Sequence, residues 1–390
     1  MSSLKSYKFR LYPTRTQTEK LEWTLARCCE LYNAALQERR EMYTYTGKGT
    51  TYNAQAMQLP EIKEIREEYK QIHSQVLQDV LRRVDKAFKA FFKRVKVGKR
   101  GFPRFQGRNH YESFCYPQAG FSLENGRLEL SKIGHVKIKL HRKVHGTIKT
   151  CTLKREGACW YVCFSCEVES VPRTPYTDEA VGIDLGISKL ATLSTGDVIE
   201  NPKHYRQAEK RLAKAQQALS RKKRGSKRRK KAVQRVARLH RKVRNQRNDY
   251  LHQWSRRLVD TYETIVFEDI APTNLSRRAR PRQDEETGKY LPNGASAKSG
   301  LNKSILDAGW SQFIAFCEYK AENAGTVQVA KVDPRMTSQV CSGCGSVVKK
   351  ELSERWHSCE CGTELDRDHN ASINIKHRWL GRSLQETQAS

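Results

Sequence analysis

The stretch at residues 180–194, AVGIDLGISKLATLS, opens the second half of the chain and decides the interpretation of its fold. Val181, Ile183 and Leu185 alternate with small or polar residues, which is the pattern of a buried β-strand. Asp184 lies on the opposite face of this predicted strand, between two glycines. A carboxylate at such a position is either a paired structural charge or a metal ligand, because an unpaired charge is costly to bury.

Two further acidic residues stand at comparable positions. Glu268 ends the strand-like segment IVFEDI (265–270), and Asp368 begins a predicted helix in DRDHNASINI (366–375). One acid at a strand end is more often structural, but three acids on successive core elements suit a site for two Mg²⁺ or Mn²⁺ ions. Such a pair of ions activates water and stabilises the leaving oxygen in phosphodiester cleavage. Asp366 competes with Asp368 for the third position.

Four of the 12 cysteines form two close pairs. Cys341 and Cys344 stand in CSGCG, and Cys359 and Cys361 stand in CECG. Paired thiolates followed by glycine are typical of zinc ribbons, whose four ligands satisfy the tetrahedral preference of structural zinc. We expect the 14 residues between the pairs to form a β-hairpin. The C-x-C spacing of the second pair is unusual, which leaves two interpretations: a strained knuckle, or His357 as a substitute ligand.

The charge of the chain points to a polyanionic partner. Its 390 residues include 73 Lys and Arg against 42 Asp and Glu, a formal net charge of +31. Such an excess of positive charge usually indicates that the protein binds nucleic acid. The basic stretches lack a wide apolar face, which disfavours a membrane-surface protein. The N-terminus lacks the apolar core of a signal peptide, and no apolar run approaches the ~18 residues of a membrane span. We therefore expect a cytoplasmic protein with reduced cysteines.

The remaining patterns indicate an α+β chain of several domains. YKFRLYP (7–13) alternates as a strand, and apolar stripes predict helices from about Gln17 and through residues 77–95. Alternating segments within residues 111–170 predict a β-barrel-like domain, to which the first strand can belong. A long basic helix is expected to include residues 221–247.

Two regions are candidates for nucleic-acid contact. Residues 221–247 hold 15 Lys or Arg and no acid, which favours phosphate contact over a merely solvated face. GFPRF (101–105) suits base stacking with phosphate contact, although a packed turn with a small aromatic core is an equal alternative. The predicted contact residues are Arg100, Phe102, Arg104, Phe105, Arg108, Arg221, Lys222, Lys223, Arg224, Lys227, Arg228, Arg229, Lys230, Lys231 and Arg235.

Four segments in this order, GIDLGISKLATLS, IVFEDI, DPRMTSQVCSGCG and DRDHNASINI, resemble the transposon-encoded TnpB (OrfB) proteins, relatives of the compact type V CRISPR effectors. YKFRLYPTRTQTEKLEWTLARCCELYNAAL and GFPRFQGRN resemble the same family. The resemblance implies an RNase H-like (RuvC) α/β nuclease domain with an inserted zinc ribbon. It also implies an N-terminal β-barrel-like (wedge) domain that carries an inserted helical recognition domain.

The same resemblance implies an RNA-guided, Mg²⁺- or Mn²⁺-dependent DNA endonuclease whose catalytic acids are Asp184, Glu268 and Asp368. Asp368 is favoured over Asp366 because it stands immediately before the NASINI helix, as in the family motif. The expected partners are a guide RNA derived from the transposon end and double-stranded target DNA with a short adjacent motif. The expected particle is a monomeric ribonucleoprotein at the prokaryotic nucleoid.

The resemblance also assigns domain boundaries and two auxiliary candidates, Arg367 and Asn370. The expected domains are the wedge (1–15 and 100–175), the helical recognition domain (16–99), the RuvC nuclease (176–334 and 366–390) and the zinc ribbon (335–365).

Three other functions agree with parts of the sequence. A nuclease-silent, RNA-guided DNA-binding regulator would use the same surfaces, but the intact acids argue against it. A ribosome- or RNA-associated zinc-ribbon protein accounts for the charge and the cysteines and leaves the carboxylates unexplained. A strand-transferring transposase is the third, since RNase H-like folds serve both chemistries.

Overall fold

The computed structural model describes residues 2–107, 110–169, 173–351 and 353–381. The chain divides into two compact units, Met1–Glu169 and Ser170–Ser390. Both units combine helices with sheets, so the predicted α+β, multidomain class is confirmed. No helix within the described ranges is long and apolar enough to span a membrane.

The first unit combines helices with a long antiparallel sheet. A capping box at Thr14 begins its first helix, and Gly47, at φ 68°, ends it. In chain order its elements are β1 (Ser2–Tyr12), α1 (Arg15–Thr46), α2 (Tyr52–Met57), α3 (Leu59–Ile65), a 3-10 helix (Glu67–Gln71), α4 (Ser74–Lys96), β2 (Ser113–Tyr116), β3 (Phe121–Glu124), β4 (Arg127–Leu130), β5 (Gly134–Lys139), β6 (Thr147–Glu156) and β7 (Cys159–Glu169).

The sheet of this unit curls. Among the described residues its seven strands follow the order β2-β6-β7-β1-β5-β4-β3, so β2 and β3 are the edge strands. A flat sheet of seven strands would separate its edges by roughly 29 Å. Tyr116 ends β2 and Phe121 begins β3, and five residues of chain reach at most about 18 Å. The edges must therefore approach each other, and Tyr116 donates a 2.9 Å hydrogen bond to the carbonyl oxygen of Ser131, just beyond β4.

One apolar core holds the helices and the sheet of this unit together. The inward residues Tyr7, Phe9 and Leu11 of β1 are almost fully buried, as their alternation predicts. They belong to one cluster with Leu77 and Val80 of α4. The helical stripe and the strand pattern predicted from the sequence therefore face the same interior.

The second unit contains a mixed sheet, several helices and the cysteine pairs. Its elements are β8 (Thr177–Leu185), β9 (Lys189–Leu193), β10 (Val198–Glu200), α5 (His204–Ser220), α6 (Lys227–Thr261), β11 (Tyr262–Glu268), α7 (Pro272–Leu275), β12 (Arg282–Gln283), β13 (Tyr290–Leu291), α8 (Ala295–Ala308), α9 (Trp310–Ala324), β14 (Gln328–Val332), β15 (Trp356–Ser358), β16 (Glu364–Asp366) and α10 (Arg367–Leu380).

The main sheet of the second unit has two different faces. Within the described residues its order is β10-β9-β8-β11-β14, with β8, β11 and β14 parallel and the other neighbours antiparallel. Ile183 and Phe267 point to one face, where they pack in a core with residues of α6 and α9. Val266 lies on the other face and shares a smaller buried cluster with Ala330 and with Ile375 of α10.

The cysteine pairs stand on two separate turns. β15 pairs with β16 around the second pair, and an isolated bridge joins Val340 to Val347 around the first pair. The prediction of one hairpin across residues 345–358 is therefore wrong. Each pair occupies its own turn because a zinc knuckle needs a tight turn that directs backbone amides at its sulfurs.

Candidate active site and zinc site

Asp184 is the penultimate residue of β8, and Glu268 ends the adjacent parallel strand β11. β8 and β11 pair in register as far as Ile183 with Phe267, and continuing this register by one residue sets Asp184 beside Glu268. Paired residues on neighbouring strands lie about 4.8 Å apart along the hydrogen-bonding direction, with side chains on the same face. Both carboxylates therefore belong to the face opposite the main apolar core.

Helix α10 packs directly on this face. A Cβ atom added to Gly182 would lie 2.1 Å from the carbonyl oxygen of Ser372 in α10, so only glycine permits the contact. Gly182 and Asp184 are two residues apart on β8 and share a face. The first turn of α10 carries Asp368, and the helix thereby adds a third carboxylate to the pair on the sheet.

Asp366 and Asp368 have different surroundings. Asp366 is the N-cap of α10: its Oδ1 accepts hydrogen bonds from the backbone N–H of Asp368 and His369, and its Oδ2 lies 3.1 Å from Lys189 Nζ. Burial opposes ionisation of Asp366, but Lys189 and the backbone donors outweigh it and hold the pKa below its ordinary value. Among the residues that the structure describes, the carboxylate of Asp368 forms one ion pair, 4.0 Å long, with the exposed Arg355.

The carboxylates concentrate negative charge. Burial, and then the charges of Glu268 and Asp368, raise the pKa of Asp184 well above its ordinary value, although Arg367 acts in the opposite sense. Burial likewise raises the pKa of Glu268, against the effect of a hydrogen bond from Thr337. An arrangement of acids that disfavours its own ionisation is typical of a functional site, and a cation would relieve it.

The donor set suits divalent cations. Carboxylate oxygens are the ligands that Mg²⁺ and Mn²⁺ prefer. In the part of the chain that the structure describes, the four-cysteine cluster is the one set of His, Cys, Asp or Glu ligand atoms that all lie within 4.8 Å of one another. The oxygens of the three carboxylates are therefore not all within 4.8 Å of one another in the structure.

The four cysteines form a cluster whose ligand atoms all lie within 4.8 Å of one another, which suits a structural zinc ion. Cys341 Sγ lies 3.7 Å from Cys361 Sγ, and Cys344 Sγ lies 3.5 Å from Cys359 Sγ. A tetrahedron with Zn–S bonds of about 2.3 Å has edges of about 3.8 Å. The sulfurs therefore already stand at the separations that a tetrahedral zinc ion requires.

Hydrogen bonds prepare two of these sulfurs to ionise. The hydroxyl and the backbone N–H of Ser346 lower the pKa of Cys344 to about 6, and Thr363 lowers the pKa of Cys361 in the same way. At Cys359 the backbone N–H of Cys361 also favours the thiolate, but burial and the neighbouring sulfurs together outweigh it and raise the pKa to about 12. Four thiolates side by side need a cation to neutralise them.

The short C-x-C spacing is accommodated by Gly362. Its φ of 88° lies in the left-handed region that glycine adopts readily, and its N–H bonds to the carbonyl oxygen of Cys359 at 2.9 Å. His357 does not belong to the sulfur cluster. It is fully buried, with Nδ1 against Lys350, so the interpretation of His357 as a substitute ligand is not supported.

The two auxiliary candidates, Arg367 and Asn370, form hydrogen bonds between α10 and the segment that carries the cysteines. Arg367 donates to the carbonyl oxygen of Glu351 at 2.9 Å. Asn370 is fully buried, and its Oδ1 accepts from the N–H of Ser342 at 2.9 Å. Thr337, which no sequence pattern predicted, donates a 2.5 Å hydrogen bond to Glu268 Oε1. A buried threonine has no distinctive pattern, and only its place in DPRMTSQVCSGCG marked the segment.

The predicted nucleic-acid residues lie mostly in solvent. The prediction of a basic helix over residues 221–247 is wrong at its start: residues 221–226 connect α5 to α6, and the rest of the basic run lies on α6. Arg229 is half-buried, and its guanidinium donates to the carbonyl oxygens of Leu219 and Lys222. Arg108 lies outside the described residues. The exposed candidates are Arg100, Phe102, Arg104, Phe105, Arg221, Lys222, Lys223, Arg224, Lys227, Arg228, Lys230, Lys231 and Arg235.

Phe102 combines packing with access to solvent. Its ring lies 5.1 Å from that of Phe91 and 5.6 Å from that of Phe88, edge-on in both cases, yet 44% of the residue is exposed. The Arg40 guanidinium lies 5.3 Å from the ring of Phe105. Phe102 also lines a cavity of about 540 Å³ between α1 and α4. Phe102 therefore packs in a small aromatic cluster and keeps an exposed face, and contact of GFPRF with bases and phosphates stays a prediction.

Three family models match the chain. A model described as a probable transposase (OrfB_IS605) covers residues 163–279. One described as a Cas12f1-like TNB domain covers 310–375, which include the four cysteines. One described as a helix-turn-helix domain of OrfB_IS605 covers 1–48, although the described residues of that range form β1 and the single helix α1.

Similar proteins extend over almost the whole chain. "Putative RNA-guided DNA endonuclease InsQ" of Escherichia coli (strain K12) is 35% identical, over 96% of this chain and 92% of that protein. "Putative RNA-guided DNA endonuclease" of Streptomyces pristinaespiralis is 36% identical, over 95% and 88%. A solved Cas12f1–sgRNA–target DNA complex matches the fold with a TM-score of 0.58 at 13% identity, over 96% of this chain and 99% of that one. The chain therefore belongs to the TnpB (OrfB_IS605) family.

Proposed function

We propose that this chain is an RNA-guided DNA endonuclease that cuts phosphodiester bonds of target DNA. Its guide is an RNA derived from the transposon end, and its target is double-stranded DNA beside a short recognition motif. The names of its full-length relatives support this function. The net charge of +31 supports a nucleic-acid partner.

The observation that carries the proposal is the convergence of three carboxylates. Asp184, Glu268 and Asp368 come from a strand, a neighbouring strand and a helix packed on both. Glu268 and Asp368 lie close enough to Asp184 for their charges to raise its pKa. Among the described residues Arg355 reaches Asp368 only at 4.0 Å and is itself largely exposed, while Arg367 and Arg378 lower the pKa of Asp184 and Glu268 only against the stronger effect of burial.

The chemistry requires two divalent ions, Mg²⁺ or Mn²⁺, held by these three residues. Ions so held supply activation of water and stabilisation of the leaving oxygen in phosphodiester cleavage. The role of the chain is to orient the carboxylates: the β8–β11 register positions Asp184 and Glu268, and the α10 cap at Asp366 positions Asp368. The four-cysteine zinc site takes no part in the reaction, because four thiolates leave no open coordination position.

The domain assignment belongs to the same proposal. Residues 176–334 and 366–390 form the RuvC nuclease domain of RNase H-like fold, and 335–365 form the zinc ribbon. Residues 1–15 and 100–175 form the wedge, into which the recognition helices (16–99) are inserted. The curled antiparallel sheet and the mixed sheet with helices on both faces support this division.

The basic and aromatic surfaces bind the guide and the target. The exposed Lys and Arg side chains of residues 221–235 suit phosphate contact along a duplex read by shape. The exposed faces of Phe102 and Phe105, with Arg40 beside both rings, suit stacking of an unpaired base.

The test is cleavage of a plasmid that bears the matched target. The purified protein with its co-purified RNA should cut this plasmid and spare one without the target, in a reaction that needs Mg²⁺. Asp184→Asn, Glu268→Gln and Asp368→Asn should each abolish cutting. Asp178→Asn, an exposed acid on the same strand as Asp184, is the matched control and should leave cutting intact. Target binding without cutting by the wild type would favour the nuclease-silent regulator.

A further inference from the structure

Thr337 connects the segment before the zinc ribbon to Glu268. It is almost fully buried, at 4% exposure, and its hydroxyl donates to Glu268 Oε1 at 2.5 Å. The carbonyl oxygen of Pro334 lies 3.1 Å from the same hydroxyl. A threonine has one hydroxyl proton, and the shorter distance and the charge of the acceptor assign it to Glu268.

Two buried asparagines of α10 hold the backbone that carries Thr337. Asn374 Nδ2 donates to the carbonyl oxygens of Thr337, at 2.8 Å, and Val340, at 2.7 Å. Asn370 Nδ2 donates to Val340 at 2.8 Å, while its Oδ1 accepts from the N–H of Ser342 at 2.9 Å. These side chains lie four residues apart, on one face of α10. Helix α10 therefore forms hydrogen bonds with three backbone groups in residues 337–342.

This segment runs directly into the zinc site. Ser342 stands between the ligands Cys341 and Cys344, so zinc coordination at these sulfurs fixes the backbone whose N–H bonds to Asn370. The described residues between β14 and β15 form no strand or helix, apart from the isolated bridge of Val340 with Val347. The conformation of this segment thus depends on the zinc site at one end and on α10 along its side.

We infer that Thr337 is a positioning residue for Glu268, and that zinc at the four cysteines tightens the binding of divalent ions at the carboxylates through this segment. The inference rests on the proposed function, in which Glu268 holds such an ion. A hydrogen bond to one oxygen of a carboxylate restrains its rotation and leaves the other oxygen available to a metal. Asn370 and Asn374 join this restraint to α10, which also carries Asp368.

The first experiment measures Mn²⁺ affinity of the full chain with its RNA, by electron paramagnetic resonance of free Mn²⁺. Thr337→Val keeps the shape and removes the hydroxyl, and it should weaken Mn²⁺ binding by roughly 10- to 100-fold, the range found for partners of metal ligands. Thr337→Ser restores the hydroxyl and should recover most of the affinity. Thr24→Val, at a buried threonine of α1, is the control and should bind as the wild type does.

Three further measurements separate positioning from general damage. Thr337→Val should retain one zinc per chain and the circular dichroism spectrum of the wild type. Its cleavage should recover toward the wild-type rate at saturating Mn²⁺, because the defect lies in affinity. Wild-type Mn²⁺ affinity in Thr337→Val, or loss of affinity that Thr337→Ser fails to repair, would overturn the inference.

The second experiment uses the reciprocity of linked binding. If zinc tightens Mg²⁺ binding, Mg²⁺ must tighten zinc binding by the same factor. Competition with a zinc chelator that ignores Mg²⁺ should show higher zinc affinity in saturating Mg²⁺ for the wild type, and no such gain for Thr337→Val or Glu268→Gln. Equal zinc affinity with and without Mg²⁺ would overturn the coupling. Absence of Mn²⁺ binding in the wild type, or binding that survives Glu268→Gln, would instead refute the proposed carboxylate site, and the inference with it.

Discussion

Gly182 of β8 lies against the backbone of Ser372 in α10, so closely that an added Cβ atom would stand 2.1 Å from the Ser372 carbonyl oxygen and 2.6 Å from the backbone nitrogen of Lys376. The backbones of the strand and the helix therefore pack without a side chain between them. This contact fixes the distance between the sheet that carries Asp184 and the helix that carries Asp368.

Gly182→Ala should push α10 away from the sheet. We expect a loss of roughly 1–3 kcal/mol in the free energy of unfolding, as for other overpacked cores. Cleavage should fall by about 100-fold, because displacement of a catalytic group by ~1 Å has effects of this size. Urea unfolding and plasmid cleavage measure the two effects. Gly300→Ala is the control: this glycine lies within α8, and an added Cβ would meet only Arg206, at 4.0 Å. Unchanged activity in Gly182→Ala would contradict the packing argument.

Asp366 and Asp368 should behave as a helix cap and a catalytic acid, respectively. Asp366→Ala removes the cap and the partner of Lys189, and it should lower the free energy of unfolding by roughly 0.5–2 kcal/mol. Asp368→Asn should leave stability nearly unchanged and abolish cleavage. Thermal unfolding and cleavage assays on the two variants check this division. Full cleavage by Asp368→Asn together with none by Asp366→Ala would reverse the assignment.

Asp184 should make the stability of the metal-free protein depend on pH. Its pKa is raised in the folded state, so the folded protein holds more protons than the unfolded chain between the unfolded and folded pKa values. The free energy of unfolding therefore falls as the pH rises through this range. Asp184→Asn removes this pH-dependent loss in the free energy of unfolding.

Without divalent ions, Asp184→Asn should consequently be more stable than the wild type at pH 8 and similar to it at pH 4. Chemical unfolding at both pH values gives the comparison. Asp178→Asn, at an exposed position of β8, should match the wild type throughout. A constant difference between Asp184→Asn and the wild type at the two pH values would refute the electrostatic explanation.

The four cysteines should bind one zinc ion per chain. Cys341→Ser replaces a fully buried ligand and should lose the zinc, as measured by elemental analysis of the purified protein. It should also unfold the ribbon, because structural zinc sites contribute folding free energy directly. Cys159→Ser, on β7 and apart from the cluster, should retain the ion. A zinc content unchanged by Cys341→Ser would mean that the ion is bound elsewhere.

The basic start of α6 should bind phosphates. Lys230→Gln with Lys231→Gln should weaken binding of duplex nucleic acid and reduce the slope of log affinity against log salt by about 2, since each phosphate contact contributes ~0.9. Arginine at both positions keeps the charge and should preserve the slope. An identical slope in the glutamine variant would show that these side chains are only solvated.

The sequence predicted the elements of the site better than their arrangement. Periodicity identified β8, β11 and α10, and the order of motifs carried the family resemblance. Asp184 could be placed on a strand face, but its neighbours depend on the β8–β11 register, which no local pattern encodes. Sequence spacing alone likewise does not show which of Asp366 and Asp368 is the third acid of the site. The cap hydrogen bonds of Asp366 distinguish the two residues in the structure.

Residues that act through the fold had no detectable signal in the sequence. The backbone of Thr337 accepts a hydrogen bond from α10, and its hydroxyl donates one to Glu268. Both partners are distant from Thr337 in the sequence. In the sequence, Gly182 looks like an ordinary small residue of a strand. Only the structure shows that the backbone of Ser372 packs against it. His357 attracted attention as a common zinc ligand, but Gly362 provides the tight turn that makes a substitute unnecessary.

The most direct test of the carboxylate site is anomalous scattering from Mn²⁺ in crystals of the protein with its RNA. We expect two anomalous peaks among the carboxylates of Asp184, Glu268 and Asp368, separated by about 4 Å. These peaks should disappear in Asp184→Asn crystals. Full occupancy of a Mn²⁺ site elsewhere, with no peak at these three residues in a preparation that cuts DNA, would refute their role as the catalytic metal ligands.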